Sequence, residues 1–260
     1  MAALVLTDDA TFTPPTARDF DLGPLFWGLT KPMLLVLCSV VIVAGFFLLA
    51  SRRLKIVPGR VQFAAELAYE FPRNTIAREQ IGTGEFRRFV PLILALFSFV
   101  LVNNLFGLIP VLQFPTMARI GFPLALAVLV VYPVYHYAGV RKYGVGGYLK
   151  RTLFPAGAPK PVYLLLTPIE LALKFALDPA LLAIRVFAAM FAGHLILMVF
   201  TVSGEFLLLH AGAVAKPVSL VSFAFAILMT FVEALIQVIQ AYVFALLSAN
   251  YIGAALAGEH

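Results

Sequence analysis

Two long apolar stretches decide the fold of this chain: PVYLLLTPIELALKFALDPALLAIRVFAAMFAGHLILMVFTV at residues 161–202 and PVSLVSFAFAILMTFVEALIQVIQAYVFALLSANYIGAALA at residues 217–257. Each is about twice as long as the ~20 apolar residues that a helix perpendicular to a bilayer needs. Each could therefore fold as a helical hairpin or as one long, steeply tilted helix. Neither stretch has a strong turn signal at its centre, so we predict two long tilted helices, with a kink at Asp178-Pro179.

The composition of the whole chain agrees with a membrane protein. Of the 260 residues, 62% are hydrophobic and 12% are charged, whereas a soluble domain is nearer half apolar and a quarter charged. With a mean hydropathy of +0.98, a soluble enzyme is excluded and the bilayer is the solvent that accepts this surface. The single cysteine, Cys38, excludes a disulfide framework and a thiolate metal cluster.

Three shorter apolar runs predict three further transmembrane helices, at Pro32–Ala50, Phe89–Pro110 and Phe122–Gly139. Residues 61–85 mix apolar and charged side chains, so this segment is predicted to lie along the interface as an amphipathic helix. We therefore predict an all-α, polytopic membrane protein. It has about five transmembrane helices and one interfacial amphipathic helix, and its last two helices are long and steeply tilted.

Basic residues set the predicted orientation. Of the 19 Lys and Arg, eight lie at residues 52–88 and five at 141–160, so the positive-inside rule places those two loops in the cytoplasm. Residues 1–31 lack a basic start followed by an apolar core, which predicts an extracytoplasmic leader rather than a cleaved signal peptide. Residues 32–260 are then a single transmembrane domain with a cytoplasmic C-terminus.

Five Asp, Glu, Lys or Arg residues fall inside the two long stretches, where a charge at mid-bilayer costs about 2.5 to 3.5 kcal/mol on insertion scales. Such residues are functional candidates by default. Glu170, Lys174 and Asp178 follow at i, i+4 and i+8 and can neutralise one another as a ladder. Structural pairing and an ion path are both open for these three. The other two of the five are Arg185 and Glu233.

Arg185 differs from Glu170, Lys174 and Asp178 because its guanidinium stays protonated at any accessible pH. At ~1.5 Å per residue it lies about 10 Å from Asp178 along the helix axis, so it needs an anion from another helix or another chain. The alternative is an arginine that snorkels or pairs with Glu233 for packing alone. Small residues around Arg185 would let a neighbouring backbone come close; they are Ala188, Ala189, Ala192 and Gly193.

Further polar residues accompany Arg185 on the two long helices. His194 lies nine residues after it, on the opposite side of the helix. Glu233, Gln237 and Gln240 fall within about 60° of arc on the last helix, as a stripe that can hold water or hand on a proton. Weaker candidates, for which a structural role is the favoured interpretation, are Asn103, Asn104 and His136.

Motifs of soluble catalysis are absent from the sequence. No phosphate-binding loop, dinucleotide fingerprint, HExxH or nucleophile elbow occurs in a supporting context. The glycine-rich GVGGYLK at residues 144–150 lacks the Lys-Ser/Thr ending of a phosphate cradle and predicts a turn. We therefore expect no catalytic site, metal or cofactor in this chain, and we attribute the net charge of +6 to the loops rather than to nucleic-acid binding.

These motifs resemble subunit a of the rotary F-type (F1Fo) ATP synthase, in its bacterial form. The resemblance covers nearly the whole chain from about residue 32. Its segments are LLLTPIELALKFALDPALLAIRVFAAMFAGHL at 164–195, FVEALIQVIQAYVFALLSANYI at 231–252, NNLFGLIP at 103–110, the 144–150 loop and the ending GEH at 258–260.

The resemblance implies roles for individual residues. Arg185 corresponds to the family's essential stator arginine, and Gln240 to the glutamine near it on the last helix. The family often carries a glutamate and a histidine as an interacting pair, and here the two look exchanged, as His194 and Glu233. Two positions depart from the usual pattern and receive no channel role: Ala189 stands where an asparagine is common, and Gly107 where some members have an aspartate.

The resemblance also implies a function and partners. It predicts a proton-translocating stator subunit that offers two offset half-channels to a ring of c subunits, in a bacterial plasma membrane. The other expected partners are b-type peripheral stalk subunits and the rest of the F1Fo complex. A rival interpretation is a self-contained ion-coupled secondary transporter with Arg185 binding an anionic substrate, although no inverted repeat is visible. A third is a membrane scaffold whose charges only pair.

Overall fold

The computed structural model describes residues 12–16, 19, 23–26, 28–52, 54–109, 112–154, 163–210 and 216–257. Several features singled out above lie outside the described residues, namely most of the leader, Pro110, Lys160 and the ending at 258–260. Just before the first helix, β1 (Pro24–Phe26) pairs with β2 (Leu29–Thr30) as a short antiparallel ladder. Its turn passes through Gly28, whose φ of 82° suits glycine.

Helices make up almost all of the remaining described chain. Five of them are long and apolar enough to cross a membrane, so the predicted all-α, five-span architecture is confirmed. The helices are α1 (Lys31–Ser51), α2 (Arg60–Glu70), α3 (Arg78–Ile81), α4 (Phe86–Leu105), α5 (Gly121–Ala125), α6 (Tyr132–Leu153), α7 (Tyr163–Ala172), α8 (Asp178–Leu209) and α9 (Lys216–Ala257).

In the described chain three π-helical segments join neighbouring helices into continuous helical runs, and a proline lies inside each segment or within two residues of it. They are Phe71–Ala77 between α2 and α3, Leu126–Val131 between α5 and α6, and Leu173–Leu177 between α7 and α8. A proline lacks the N–H of the i to i−4 ladder and its ring crowds the preceding turn, and a widened π turn relieves both problems. The irregularity expected at Asp178-Pro179 therefore begins at Leu173.

The two long apolar stretches are single rods rather than helical hairpins. Tyr163–Leu209 is 47 residues long and Lys216–Ala257 is 42, which corresponds to about 70 Å and 63 Å at ~1.5 Å per residue. A hydrocarbon core is only about 30 Å thick, so helices of this length cannot lie perpendicular to the membrane plane and remain within the core. They pack against each other along α8 and α9, where Ser222 Oγ donates to the Phe200 carbonyl oxygen at 2.7 Å.

The third span was expected to end at Gly139. The helix continues past this residue, and the helical run from Gly121 to Leu153 is interrupted at Gly144, which has φ 72° and provides the turn predicted in the 144–150 loop. This turn folds the chain back so that the Tyr148 ring covers Gly139, where a Cβ atom would collide with that ring.

Contacts between loops show which loops lie at the same end of the helix bundle. At one end the Phe12 ring packs on Phe206, with centroids 5.5 Å apart, and Lys31 Nζ donates to the Leu112 carbonyl oxygen at 2.6 Å. This end, called the leader end below, therefore joins the leader, the loop around residue 112 and the end of α8.

The opposite end holds the two basic loops. Tyr143 Oη donates to the Leu256 carbonyl oxygen at 2.7 Å. Gly253 lies so close to the Gln80 backbone that a Cβ atom there would collide with its carbonyl oxygen. The loops that carry most of the Lys and Arg therefore share one end, called the basic end below, which matches the grouping inferred from their charge.

The core is centred on the second half of α9. Phe244 packs with α4 and α8 residues in one buried cluster, and Ile252 packs with Ile76 and Ile93 in a second. The first half of α9 is different, because large apolar side chains such as Leu220, Ile227 and Phe231 are exposed. In a chain that spans a membrane, such a surface faces lipid or another protein.

Candidate functional site

A buried polar cluster joins α8 and α9. His194 Nδ1 and Glu233 Oε1 are 3.3 Å apart, and Gln237 Nε2 donates to the same carboxylate oxygen at 3.2 Å. Only 6% of His194 and 2% of Glu233 are exposed. Gly193 lies against the pair, since a Cβ atom at this position would be in ordinary van der Waals contact with Glu233 Cγ, at 3.7 Å. The structure thus brings three of the predicted site residues into contact.

The second span completes this cluster from α4. Asn104 is fully buried, and its Nδ2 donates to the main-chain oxygen of Gln237 at 3.1 Å. Gly107 lies against Gln237 as well, because a Cβ atom there would be 3.1 Å from Nε2. The Gln237 amide therefore occupies the space that a side chain at position 107 would need.

Several oxygens in this cluster have no hydrogen-bond partner within the described ranges. They are Asn104 Oδ1, Glu233 Oε2 and Gln237 Oε1, all of them buried. A buried polar atom is normally satisfied by protein or water. Water molecules between these oxygens would satisfy them, so the cluster is suited to holding water within the helix bundle.

Arg185 lies on a different surface of α8 from His194. It is exposed on the chain surface, and no acidic side chain in the described part of the chain forms an ion pair with it. The alternative of an internal pair with Glu233 is therefore wrong for the described residues. The surface around Arg185, called the Arg185 face below, consists of the exposed α8 residues Leu181, Arg185, Ala188, Ala192 and Ile196.

A cavity of about 220 Å³ lies at the basic end of the bundle. Asp178 and Lys174 line it, and Arg151 contributes from the end of α6. Lys174 Nζ also pairs with Glu170 Oε2 at 3.6 Å, so one step of the predicted ladder is an ion pair. The rest of the lining comes from Tyr135, Tyr143, Tyr148, Thr152, Asn250, Tyr251, Ala254 and Ala255.

Comparison with known proteins assigns the chain to a family. Residues 33–253 match the family model described as ATP synthase A chain. The chain belongs to this ATP synthase A chain family. Proteins named ATP synthase subunit a are 43% identical in Pseudarthrobacter chlorophenolicus over 98% of this chain and 97% of the relative, and 42% identical in a Nocardioides species over 96% and 95%. In Streptomyces lividans the identity is 38% over 97% and 91%.

Membership of the ATP synthase A chain family, together with the five candidate spans, makes this chain a multi-pass membrane protein connected with ATP synthesis and ion transport. The family resemblance inferred from the two long helices is therefore confirmed. The structure gives the surroundings of Gly107 and Ala189, the two positions that depart from the usual family pattern. Gly107 borders Gln237, and Ala189 packs against the core rather than facing outward with Arg185.

The other predicted site residues lie apart from the cluster around Glu233. His136 Nδ1 is 2.7 Å from the Tyr148 hydroxyl, and its ring stacks on Phe175. Asn103 Nδ2 donates to Ser39 Oγ at 2.7 Å. Gln240 Oε1 is buried and has no hydrogen-bond partner among the described residues. Asn103 therefore ties α1 to α4, whereas Asn104, its neighbour in sequence, reaches α9.

Sequence reasoning missed most of the cavity lining. Tyr148 and Arg151 follow the Gly144 turn, and Asn250 and Tyr251 lie near the end of α9. The signal for Tyr148 was present in the glycine-rich loop, because a turn at Gly144 returns the following residues to the third span. No sequence signal placed Asn250 and Asp178 at the same cavity, since their proximity depends on how α9 packs against the helices that precede it.

Proposed function

We propose that this chain is the proton-translocating stator subunit of a rotary ATP synthase. In this proposal it offers two separate half-channels to a rotating ring of c subunits, each of which carries a carboxyl group. The observation that carries the proposal is the placement of Arg185. It is an exposed cation on an apolar surface and has no ion-pair partner among the described residues, with one buried polar cluster on one side of it along α8 and one polar cavity on the other.

The position of Arg185 supports a negatively charged partner outside this chain. A guanidinium cannot lose its proton to escape an apolar environment, so an exposed arginine in a spanning helix needs an anion. Small side chains at Ala188 and Ala192 let another helix approach Arg185 closely. A carboxylate carried by a neighbouring ring fits both the charge and the space.

The two polar regions support half-channels that do not meet. His194 lies about 13 Å from Arg185 along the helix axis toward the leader end, and Asp178 lies about 10 Å away toward the basic end, at ~1.5 Å per residue. The cluster of Asn104, Gln237, Glu233 and His194 would conduct protons on the leader side. The cavity beside Asp178 and Lys174 would conduct them on the basic side.

Separation by Arg185 couples ion flow to rotation. A ring carboxyl can face hydrocarbon only when it is neutral, because an ionised carboxylate there is very costly. Arg185 favours the ionised carboxylate at the interface and repels a proton that would pass directly between the half-channels. Each proton that crosses contributes about 2.3 kcal/mol per 100 mV of membrane potential, and this energy turns the ring.

The orientation belongs to the same proposal. The basic end carries most of the Lys and Arg in the loops, so it faces the cytoplasm of a bacterial cell, and the leader end faces outward. Protons then enter through the buried cluster and leave through the cavity during ATP synthesis. The b-type peripheral stalk subunits would hold this chain stationary against the ring.

The test replaces Arg185 with alanine in the whole ATP synthase, purified in mild detergent and reconstituted in vesicles. We expect the ring, the stalk and the ATPase subunits to copurify with the unmodified chain and with Arg185→Ala alike. ATP-driven proton pumping, measured by quenching of a pH-sensitive dye, should fall below detection in the variant. Leu208→Ala, on an exposed position of α8 away from the Arg185 face, is the matched control.

Two outcomes would contradict the proposal. Undiminished pumping in Arg185→Ala would remove the arginine from the mechanism. An unmodified chain that transports ions when it is purified and reconstituted alone, without a ring, would favour the secondary transporter.

A further inference from the structure

We propose that Asp178 is the proton acceptor on the basic side of Arg185, and that it passes each proton from a ring carboxyl to water in the cavity. This inference rests on the proposed function and assigns a role to a residue for which structural pairing was an equal alternative. Three features of the structure carry it: the shared helix face of Asp178 and Arg185, the cavity, and the charges around Asp178.

Asp178 and Arg185 point to nearly the same side of one helix. They are seven residues apart in α8, which is within about 20° of two full turns. Tyr251 of α9 is within electrostatic reach of both charges. A neutral ring carboxyl that approaches Arg185 from the basic side therefore meets Asp178, the ionisable group of α8 next to Arg185 toward the basic end, before it reaches the guanidinium.

The cavity connects Asp178 to water. Its volume of about 220 Å³ has room for several water molecules at about 30 Å³ each. Asp178 also lines a smaller adjoining cavity together with Pro179 and Leu182, so it lies where the polar space meets the apolar core. Proton-carrying water needs polar partners, which Thr152, Asn250 and the surrounding tyrosine hydroxyls supply.

The charged and titratable groups around Asp178 favour reversible proton transfer. On its own rod these groups are Lys174, Glu170 and Arg185. Lys174 forms its ion pair with Glu170, at 3.6 Å. Its charge therefore attracts the Asp178 carboxylate without pairing exclusively with it. The groups from the packed helices are Tyr132, Tyr135, Tyr143, Tyr148 and Arg151 of α6 and Tyr251 of α9.

The transfer balances as a proton relay without any redox step. The O–H bond of the neutral ring carboxyl breaks and a new O–H bond forms on the Asp178 carboxylate. The ring group becomes a carboxylate that Arg185 attracts. Asp178 then releases the proton to a cavity water, which carries it to the solution at the basic end, and the Asp178 carboxylate is restored for the next ring carboxyl.

The experiment compares Asp178→Asn, Asp178→Glu and the unmodified chain in the intact ATP synthase in vesicles. An imposed proton gradient drives ATP synthesis, and the initial rate is measured at equal amounts of assembled complex. We expect Asp178→Asn to slow synthesis by about tenfold or more, since a positioned acid–base group contributes about 10² or more. Asp178→Glu keeps the carboxylate and should stay within about threefold of the unmodified rate. Glu205→Gln, an exposed acid elsewhere on α8, is the matched control.

Each outcome decides the question. Slow synthesis in Asp178→Asn with rescue in Asp178→Glu supports the relay. Normal synthesis in Asp178→Asn overturns it, and so does an equal loss in both variants or loss of the ring from the purified complex, because these point to a structural role. Arg185→Ala, measured in parallel, separates the two proposals. If Arg185→Ala pumps protons normally, the proposed function fails. If Arg185→Ala does not pump while Asp178→Asn synthesises ATP normally, only the relay is overturned.

Discussion

Arg185 and Glu233 are both ionisable residues in the middle of long apolar helices, yet the fold treats them in opposite ways. Glu233 is 2% exposed and contacts His194 and Gln237. Arg185 is exposed and has no ion-pair partner in the described part of the chain. A charge that the bundle satisfies internally can pass protons within the chain. A charge that the bundle leaves on its surface is available to a second protein.

The contrast also explains the division of small residues on α8. Ala188 and Ala192 lie exposed with Arg185, whereas Gly193 lies against Glu233. Close packing, rather than the exclusion of water, drives helix association in a bilayer. One side of α8 therefore packs on α9, and in the proposed function the Arg185 face receives a helix from outside the chain.

The contrast between the exposed Arg185 and the buried Glu233 is tested most directly by Arg185→Lys, which keeps a positive charge on the Arg185 face. A desolvated lysine can lose its proton, and it lacks the planar fork that holds a carboxylate. We expect ATP-driven pumping to fall about tenfold or more, equivalent to about 1.4 kcal/mol in the barrier, with assembly unchanged. Dye quenching in vesicles measures the effect. Pumping at the unmodified rate would mean that any positive charge suffices.

The shape of the Arg185 face can be tested apart from its charge. Ala192→Trp adds bulk one helical repeat from Arg185, and overpacking of a close contact costs about 1 to 3 kcal/mol. We expect less ring to copurify with this variant in mild detergent, as measured by quantitative gel analysis. Leu208→Trp, at an exposed position on another side of α8, should retain the ring. Equal retention by both variants would argue against a ring on this face.

On the buried side of the comparison, Glu233→Gln removes the ionisable group but preserves its size. We expect ATP synthesis to slow by about a hundredfold, as is typical when a positioned acid–base group is lost. The double variant His194→Glu with Glu233→His restores a complementary pair and should recover part of the rate lost in either single variant. If the double variant is slower than both, the pair depends on its present orientation.

The smallest expected effects come from two neighbouring asparagines. Asn103→Leu leaves the hydroxyls of Ser39 and Thr116 without this partner, at a cost of about 1 to 3 kcal/mol. It should lower the thermal stability of the purified complex while pumping per complex stays normal. Asn104→Leu should instead reduce pumping severalfold with stability little changed. The reverse pattern would exchange the structural and conducting roles inferred for them.

Much of the architecture could be predicted from the sequence. The five spans and the opposite placement of Arg185 and His194 follow from apolar run length and the 3.6-residue period, both of which are local properties. The two long helices follow from the lack of a strong turn signal at the centre of either long stretch. The turn at 144–150 was also predictable from its glycines, and Gly144 has φ 72°. The helical segment that follows this turn up to Leu153 was not, since its polar sequence resembles a loop until it packs on α9.

What the sequence alone determined is the set of costly charges and their spacing along each helix, because those depend only on residue identity and helical geometry. What only the tertiary structure decided is the partner of each charge. Glu233 meets His194 through the packing of α8 on α9, Asn104 reaches the Gln237 main chain through the packing of α4 on α9, and Asp178 and Asn250 line the same cavity. Contacts between distant segments depend on how the helices pack in three dimensions, which no local pattern specifies.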